Sequence, residues 1–509
     1  MTSYTETIRR INAGRSNKAS WEDHLRECYA YSMPERNTID KWHRGDEKNE
    51  RSYDSTTSDS VEDFANKMES QVVPPTSNWM KLESGTEVPD EQSEEINNFL
   101  EETTKTVFEH IRSSNFSSQI HECFLDLAIS TGAIIVEAGD GIQSSLNFRS
   151  VSLSELILER SARGTLDTVW RDITVQAGDI ERIWNGMRIP EQLAKIIKEK
   201  PEEDVTLIEG VMYIENGKYE DILIYEDAGV FLYQREVESS PWIVFRETSL
   251  PGETFGRGRV MRVLDDIRSL NMMMKDYLES LNIAANPILI AMDYGVINPH
   301  TNVPKPGKMM IVGSNDSRNP SIAQLPVNSN IQLLEFAIRG LQDVVRRALM
   351  SKPFGNIEET PVRSATEMSM RNADNAQVQV GASGRIQAEL LERLIARCVY
   401  VLKQAGKIAD FKVDGKEVKI KYTSPLAKQQ DELQLATLFR YAESMQMFNP
   451  EHVMAKVKVE EFPVEIAQVM GIPEKLMRTE LEEAEYQEEA KAREMAVQQA
   501  AMEQGGGNA

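Results

Sequence analysis

Apolar residues recur at helical spacing through the first 130 residues of the chain. In one stretch Val61, Phe64 and Met68 follow each other at intervals of three and four, the spacing of one helix face. Pro74 and Pro75 end this stretch, because proline lacks an amide donor and blocks continuation of a helix. The pattern predicts four helices in this part, at residues 21–33, 61–73, 93–111 and 117–128.

From Gly132 onward the pattern changes to short β-rich runs separated by Gly, Asn or Asp. Runs of this kind between turn residues predict strands. The predicted strands are 133–137, 145–151, 165–175, 205–215, 220–225, 230–236 and 242–246, with helices near 178–184 and 190–198. We therefore predict a helix-rich α+β fold with a mostly antiparallel sheet.

Two long helices are predicted at residues 256–285 and 331–350, the first about 45 Å long. Their apolar positions repeat at helical spacing: Val260, Leu264, Ile267, Met274, Leu278 and Leu281 in the first helix, and Ile331, Leu334, Ile338, Leu341, Val345 and Leu349 in the second. The residues between them are rich in Pro, Gly and Asn and contain β-like runs at 288–292 and 308–312. The pattern predicts a helical stalk with a small β tip.

Ser364, followed three residues later by Glu367, has the spacing of a capping box, which predicts a helix over residues 364–404. Gly381 and Gly384 should weaken or kink that helix near its middle. The other predictions for this half are a loop at 351–362, a strand at 417–422 that rejoins the earlier sheet, and helices from residue 424 onward.

The composition narrows the class of protein. With 509 residues the chain is long enough for two to four domains, and its formal net charge is −24. An acidic surface repels phosphate, so this protein does not bind DNA with its whole surface.

Three widely spaced cysteines indicate a reducing compartment and argue against disulfides and zinc. The polar N-terminus and the lack of a long apolar run predict neither a signal peptide nor a membrane span.

A search for catalytic motifs finds little. The chain has no phosphate-binding loop, no HExxH pair and no GxSxG elbow. Gly256 and Gly258 lack the third glycine of a dinucleotide fingerprint, and they are better explained by a sharp entry into the following helix. Asp265 and Asp266 fit a solvated helix face better than a cation site. We therefore predict a protein that is not an enzyme and has no metal and no cofactor.

Several segments together carry a family resemblance. They are YAYSMP at 29–34, residues 53–79 ending in VVPPTSNW, SSNF at 113–116, FGRG at 255–258, DDIRSLN at 265–271 and RSATEM at 363–368. Over about residues 5–480 the sequence resembles the portal (head-to-tail connector) proteins of short-tailed bacteriophages. The resemblance implies a homo-oligomeric ring, usually of twelve subunits, at one capsid vertex. The regions it implies are a wing at 1–255, stem helices at 256–285 and 329–350, a clip at 286–328, a channel loop at 351–362, a wing helix and strand at 363–423, and a crown at 424–509.

The same resemblance assigns roles to individual residues. It implies that Lys352, Phe354, Asn356, Glu358 and Glu359 face the channel, and that Lys305, Lys308 and Arg318 contact partners at the clip. A lone stalk would leave its apolar stripes exposed. The side chains that would pack between the stems of neighbouring subunits are Leu264, Ile267, Leu278, Leu334, Ile338, Leu341 and Val345. Arg339, Arg346 and Arg347 would form intersubunit salt bridges or brief phosphate contacts.

The resemblance further implies partners and a location. Double-stranded DNA would pass without sequence specificity, and the capsid and scaffolding proteins, the terminase motor and a tail adaptor would dock. The protein would be part of the virion after assembly in the host cytoplasm. Two alternatives remain open from the sequence: a structural tail or filament component without a DNA channel, and a nucleic-acid enzyme with dispersed catalytic acids.

Overall fold

The fold is described here from a computed structural model. The described residues are 2–40, 52–85, 90–286, 289–291, 322–324, 331–351, 384–409 and 418–423, apart from 142–143, 162–163, 185 and 216, together with the single positions 48, 441, 466 and 486. Predictions that fall on the channel loop, on the capping box at 364–367, on the run at 308–312 and on nearly all of 424–509 lie outside these residues.

The first helix, α1 (Tyr4–Ser32), is more than twice as long as the helix predicted at 21–33. It begins at Ser3, whose hydroxyl accepts from the backbone N–H of Glu6, and it ends before Pro34. The extra turns have a short apolar face, Tyr4, Ile8 and Ile11, which packs on the larger sheet and was not recognised in the sequence. Ion pairs fasten these turns to the sheet, from Arg10 to Glu159 (2.9 Å) and from Arg15 to Asp172 (2.7 Å).

Three further helices confirm the predicted ones with slightly wider bounds: α2 (Thr56–Val72), α3 (Asp90–Arg112) and α4 (Phe116–Ile129). Between α2 and α3 lies β1 (Met80–Ser84), a strand that was not predicted. It pairs antiparallel with β12 (Val418–Tyr422) in a separate two-stranded sheet. The prediction that the last strand rejoins the earlier sheet is therefore wrong, because β1 supplies its partner.

The remaining strands of this part form two antiparallel sheets rather than one. The larger has the order β4 (Leu156–Glu159), β5 (Thr168–Gln176), β6 (Asp204–Tyr213), β7 (Tyr219–Tyr225) and β8 (Val230–Val237). The smaller has the order β3 (Leu146–Ser150), β2 (Thr131–Ala138) and β9 (Trp242–Arg246). Two short helices, α5 (Ile180–Ile183) and α6 (Glu191–Glu199), precede β6. The antiparallel α+β prediction is confirmed, although β4 was missed.

The first long predicted helix is broken in the structure. Residues 256–258 are not helical, α7 (Arg259–Arg262) is one turn, and α8 (Leu264–Ala285) begins after Val263. Gly258 must approach the end of α4 closely, since an added Cβ would lie 2.3 Å from the carbonyl oxygen of Ile129. This supports the expectation that the glycines allow a sharp entry, but the helix that follows, with 22 residues, is only about 33 Å long.

The second long helix is α9 (Ile331–Ala348), close to its predicted bounds. Between α8 and α9, β10 (Leu289–Ala291) pairs with β11 (Ile322–Gln324), so the first of the two predicted β-like runs contains a strand, and its partner is a strand that was not predicted. Farther along, a π-helical turn (Gln387–Leu391) leads into α10 (Glu392–Gln404). No helix among the described residues is both long and apolar enough to cross a membrane. We call residues 4–262, 384–409 and 418–423 the body, and α8 with α9 the hairpin.

Candidate functional site: the helical hairpin and its anchorage

The hairpin is buried where it meets the body and exposed beyond it. Leu264, Ile267 and Leu270 at the start of α8 are buried in the main core, as is Val345 near the end of α9. No described α8 residue beyond Leu270 is buried, and Leu278 is 47% exposed. The two helices pack against each other, and Met273, Met274 and Tyr277 of α8 are partly buried against the same core.

The segment before α2 connects the two helices of the hairpin. The backbone N–H of Tyr53 donates to Asn271 Oδ1 of α8 (2.7 Å), and Gln342 Nε2 of α9 donates to Asp54 Oδ2 (2.9 Å). Lys275 lies over the ring of Tyr53, 5.8 Å from its centroid. Tyr53 and Asp54, which are neighbours in the sequence, therefore contact both helices of the hairpin, and Asn271 directly follows Leu270, the last buried residue of α8.

The C-terminal end of α9 is capped by cations from the body. Arg259 Nη1 donates to the carbonyl oxygen of Ala348 (3.1 Å), and Lys67 Nζ donates to that of Met350. The last carbonyls of a helix have no partners within the helix, so these donors satisfy them. Met350 has a φ of +59°, the left-handed conformation in which helices commonly end. Burial lowers the pKa of Lys67, and the nearby Asp63 opposes this shift.

Glu247, the residue directly after β9, is linked by arginines to the chain before and after residues 352–383. Before them, the Arg259 that caps α9 also donates from Nε to Glu247 Oε1 (2.7 Å), and both side chains are largely buried. After them, Arg385 Nη1 donates to the carbonyl oxygen of Glu247 (3.3 Å). Glu247 is therefore linked to the last turn of α9 through Arg259 and directly to Arg385.

The stem-packing residues predicted from the sequence differ in burial. Leu264, Ile267, Ile338 and Val345 are buried, and Leu334 and Leu341 are half-buried. In the single chain α8 and the body already cover Ile338 and Val345, and the packing of the stripe between subunits stays a prediction. Only Leu278 of the predicted set is exposed.

The predicted arginines of α9 have contacts within their own helix. Arg339 forms an exposed ion pair with Glu335, one turn away. Arg347 is exposed, and its Nε donates to the carbonyl oxygen of Asp343 (3.2 Å), while Arg346 is half-buried. The other predicted site residues, Lys352, Phe354, Asn356, Glu358, Glu359, Lys305, Lys308 and Arg318, lie outside the described residues.

The hairpin also carries large exposed apolar side chains outside the predicted stripes, and those on α9 were not singled out from the sequence. Phe336 is 77% exposed, Leu333 is 63% exposed, and Met272 on α8 is 68% exposed. Gly340 follows Phe336 by one turn of α9. The sequence contains two signals that mark this side of α9. Phe336 lies two positions from Leu334 and so falls outside the predicted apolar stripe. Gly340 lies in the middle of the helix, where glycine is unfavourable.

The structure also locates residues that could carry chemistry. Cys28, Cys123 and Cys398 are all buried. Burial raises the pKa of Cys28 and of Cys398 to about 12 and that of Cys123 still higher, which disfavours the reactive thiolate. His121 lies between Glu62 (3.4 Å) and Glu69 (3.3 Å), and no three His, Cys, Asp or Glu residues of the described part are grouped to hold a metal ion.

The comparison with protein families gives a match along nearly the whole chain. The model of the bacteriophage head to tail connecting protein family matches residues 5–477. This chain belongs to that family, which consists of structural phage proteins and not of enzymes. The recognition made from the sequence is confirmed, and the chain is a connector component of a virion, associated with capsid and tail. No curated protein matches the chain by sequence.

Proposed function

We propose that the chain is one subunit of a portal ring, usually of twelve copies, at one vertex of the capsid. The ring would conduct double-stranded DNA during packaging and ejection, and it would be the docking platform for the packaging motor and the tail adaptor. In this proposal residues 1–255 and 363–423 form the wing, and residues 256–285 with 329–350 form the stem. Residues 286–328 form the clip, 351–362 the channel loop and 424–509 the crown.

The observation that carries the proposal is the change of burial along the hairpin. Beyond Leu270 no described residue of α8 is buried, and the hairpin carries large exposed apolar side chains such as Phe336 and Met272. Exposed apolar side chains grouped on one element mark an interaction surface. Copies of the chain arranged around an axis would cover these side chains, and the hairpins would then surround a central channel.

The charge supports passage of DNA rather than retention of it. Each chain carries −24 formal charges, so twelve copies carry 12 × −24 = −288. A channel lined by residues of that sign repels phosphate, and Glu358 and Glu359 would contribute if the loop faces the lumen. In this arrangement Arg339, Arg346 and Arg347 form contacts between subunits and do not hold DNA.

Electron-microscopic class averages of the purified full chain, together with native mass spectrometry, test the proposal. We expect closed rings with a central hole wide enough for a DNA duplex. Monomers or dimers under all conditions would overturn the proposal. Open helical filaments would instead favour a tail or filament component, because head-to-tail contacts that do not close give filaments.

A further inference from the structure

The carboxylate of Glu247 has a hydrogen-bond partner on one of its two oxygens. Oε1 accepts from Arg259, and the side chain of Glu247 is only 4% exposed. Among the residues that the structure describes, none donates to the buried Oε2. A buried carboxylate oxygen without a donor costs free energy, because it has lost its contact with water and gained no hydrogen bond in return. A conformation that brings a donor to Oε2 is therefore favoured.

Arg385 is the donor that lies closest at hand. Its Nη1 donates to the backbone carbonyl oxygen of Glu247 at 3.3 Å, which is long for such a hydrogen bond. The half-buried Arg385 forms no ion pair with a described carboxylate. The backbone carbonyl and the side-chain carboxylate of one residue are a short distance apart, and a guanidinium binds a carboxylate more strongly than a neutral carbonyl. A short movement of Arg385 would therefore exchange a weaker acceptor for a stronger one.

The backbone beside Arg385 is fixed, while its side chain has room. Ile386 is buried in the main core, and Glu389 in the π-helical turn is held by Arg246. On the other side of Arg385, a Cβ added to Gly384 would meet nothing within 4 Å, so the space at this position is open. The movement therefore needs a rotation of the Arg385 side chain and no shift of the helix.

We propose that Arg385 is a latch that closes on Oε2 of Glu247. In the closed position Glu247 lies between two guanidinium groups, with Arg259 on Oε1 and Arg385 on Oε2. Arg259 also donates to the carbonyl oxygen of Ala348 at the end of α9. The closed latch therefore joins the hairpin to the chain that leads into α10, and a change at either end affects the other. The inference concerns the single chain and does not depend on the ring.

A double-mutant cycle on the purified full chain tests the closed position. Glu247→Gln keeps the backbone carbonyl but removes the charge of the carboxylate, and Arg385→Met removes the guanidinium from a chain of similar length. Hydrogen exchange of peptides that cover residues 384–391 measures local opening. With a closed latch, Arg385→Met should raise exchange roughly tenfold more in the wild-type background than in Glu247→Gln. Equal effects in both backgrounds would place Arg385 on the carbonyl oxygen and overturn the latch.

Arg393 provides the matched control. It is also half-buried, lies on α10 and donates to a backbone carbonyl oxygen, that of Leu166 (3.1 Å), with Asp167 at 3.6 Å. Arg393→Met should have the same effect with and without Glu247→Gln. A dependence as large as that of Arg385 would show a general loosening of the chain and would also overturn the latch.

The link to the hairpin has its own measurement. Because the closed latch reaches α9 through Arg259, Arg385→Met should raise exchange at residues 345–350 as well, and Arg393→Met should not. Unchanged exchange there would overturn the link. Should Glu247→Gln fail to fold, a map of the unmodified chain at side-chain resolution decides. An Arg385 nitrogen about 3 Å from Oε2 supports the latch, whereas a water molecule or another side chain on Oε2 contradicts it.

Discussion

Arg246 and Glu389 form a buried ion pair that joins the end of β9 to the π-helical turn. The Nη2–Oε1 distance is 2.8 Å, and the backbone N–H of Arg246 donates to the same carboxylate at 2.9 Å. The Arg246 side chain is 3% exposed, so it has no access to water if its partner is removed. This pair fixes Glu389, and with it the start of α10, against the smaller sheet.

Replacing Glu389 with Gln should destabilise the chain by about 3 kcal/mol, because the substitution leaves a buried guanidinium without its countercharge. Chemical denaturation of the subunit measures the loss. Glu236→Gln removes one partner of the exposed pair with Lys218 and is the control, for which we expect an unchanged midpoint. Equal midpoints for Glu389→Gln and the wild type would show that the pair contributes nothing.

Gly258→Ala should destabilise the body, because the new Cβ would lie 2.3 Å from the carbonyl oxygen of Ile129 and the backbone would have to move. We expect a loss of about 2 kcal/mol or more, in the range of overpacked cores. Thermal unfolding of the isolated subunit measures it. Gly340→Ala adds the same methyl group where nothing is in contact and should act in the opposite direction. A neutral Gly258→Ala would refute the close approach.

The stability of the chain should depend on the ionisation of Asp126. This carboxyl is buried, which raises its pKa above the usual value, while Arg36 and the hydroxyl of Tyr29 act in the opposite direction. A carboxyl with a raised pKa in the folded state binds its proton more tightly than in the unfolded state. Its contribution to stability is present below the unfolded value of about 3.9 and is lost as the pH rises through the folded value.

The difference in unfolding free energy between Asp126→Asn and the wild type isolates this group. That difference should shift in favour of the variant as the pH rises from about 4 through the raised pKa, since asparagine cannot ionise. A flat curve for Asp126→Asn would contradict the assignment.

The three cysteines should resist thiol reagents in the native chain. Their burial raises the pKa of each thiol, and the thiolate is the reactive form. Labelling with a chromogenic disulfide at neutral pH should therefore be slow for Cys28, Cys123 and Cys398. In denaturant all three should react at once, which provides the control. One rapidly labelled thiol in the native protein would show that its surroundings are open.

The periodicity of the sequence determined the kind of most elements. Apolar spacings of three and four predicted α2, α8 and α9, and short runs between turn residues predicted most strands of the two larger sheets. Both signals are local, since they depend on which side chains share a face of one element. The family could also be recognised from the sequence, because segments such as those at 29–34 and 265–271 keep their order and spacing.

Only the tertiary structure decided what covers each apolar face. The stripe through Ile338 and Val345 is apolar whether a second copy or the same chain buries it, and the single chain buries it. The pairing of β1 with β12 joins positions more than 300 residues apart, which no local pattern encodes. The first turns of α1 are held on the larger sheet both by Tyr4, Ile8 and Ile11 and by the ion pairs of Arg10 and Arg15. Periodicity identifies a face, whereas its partner depends on how distant parts of the chain pack.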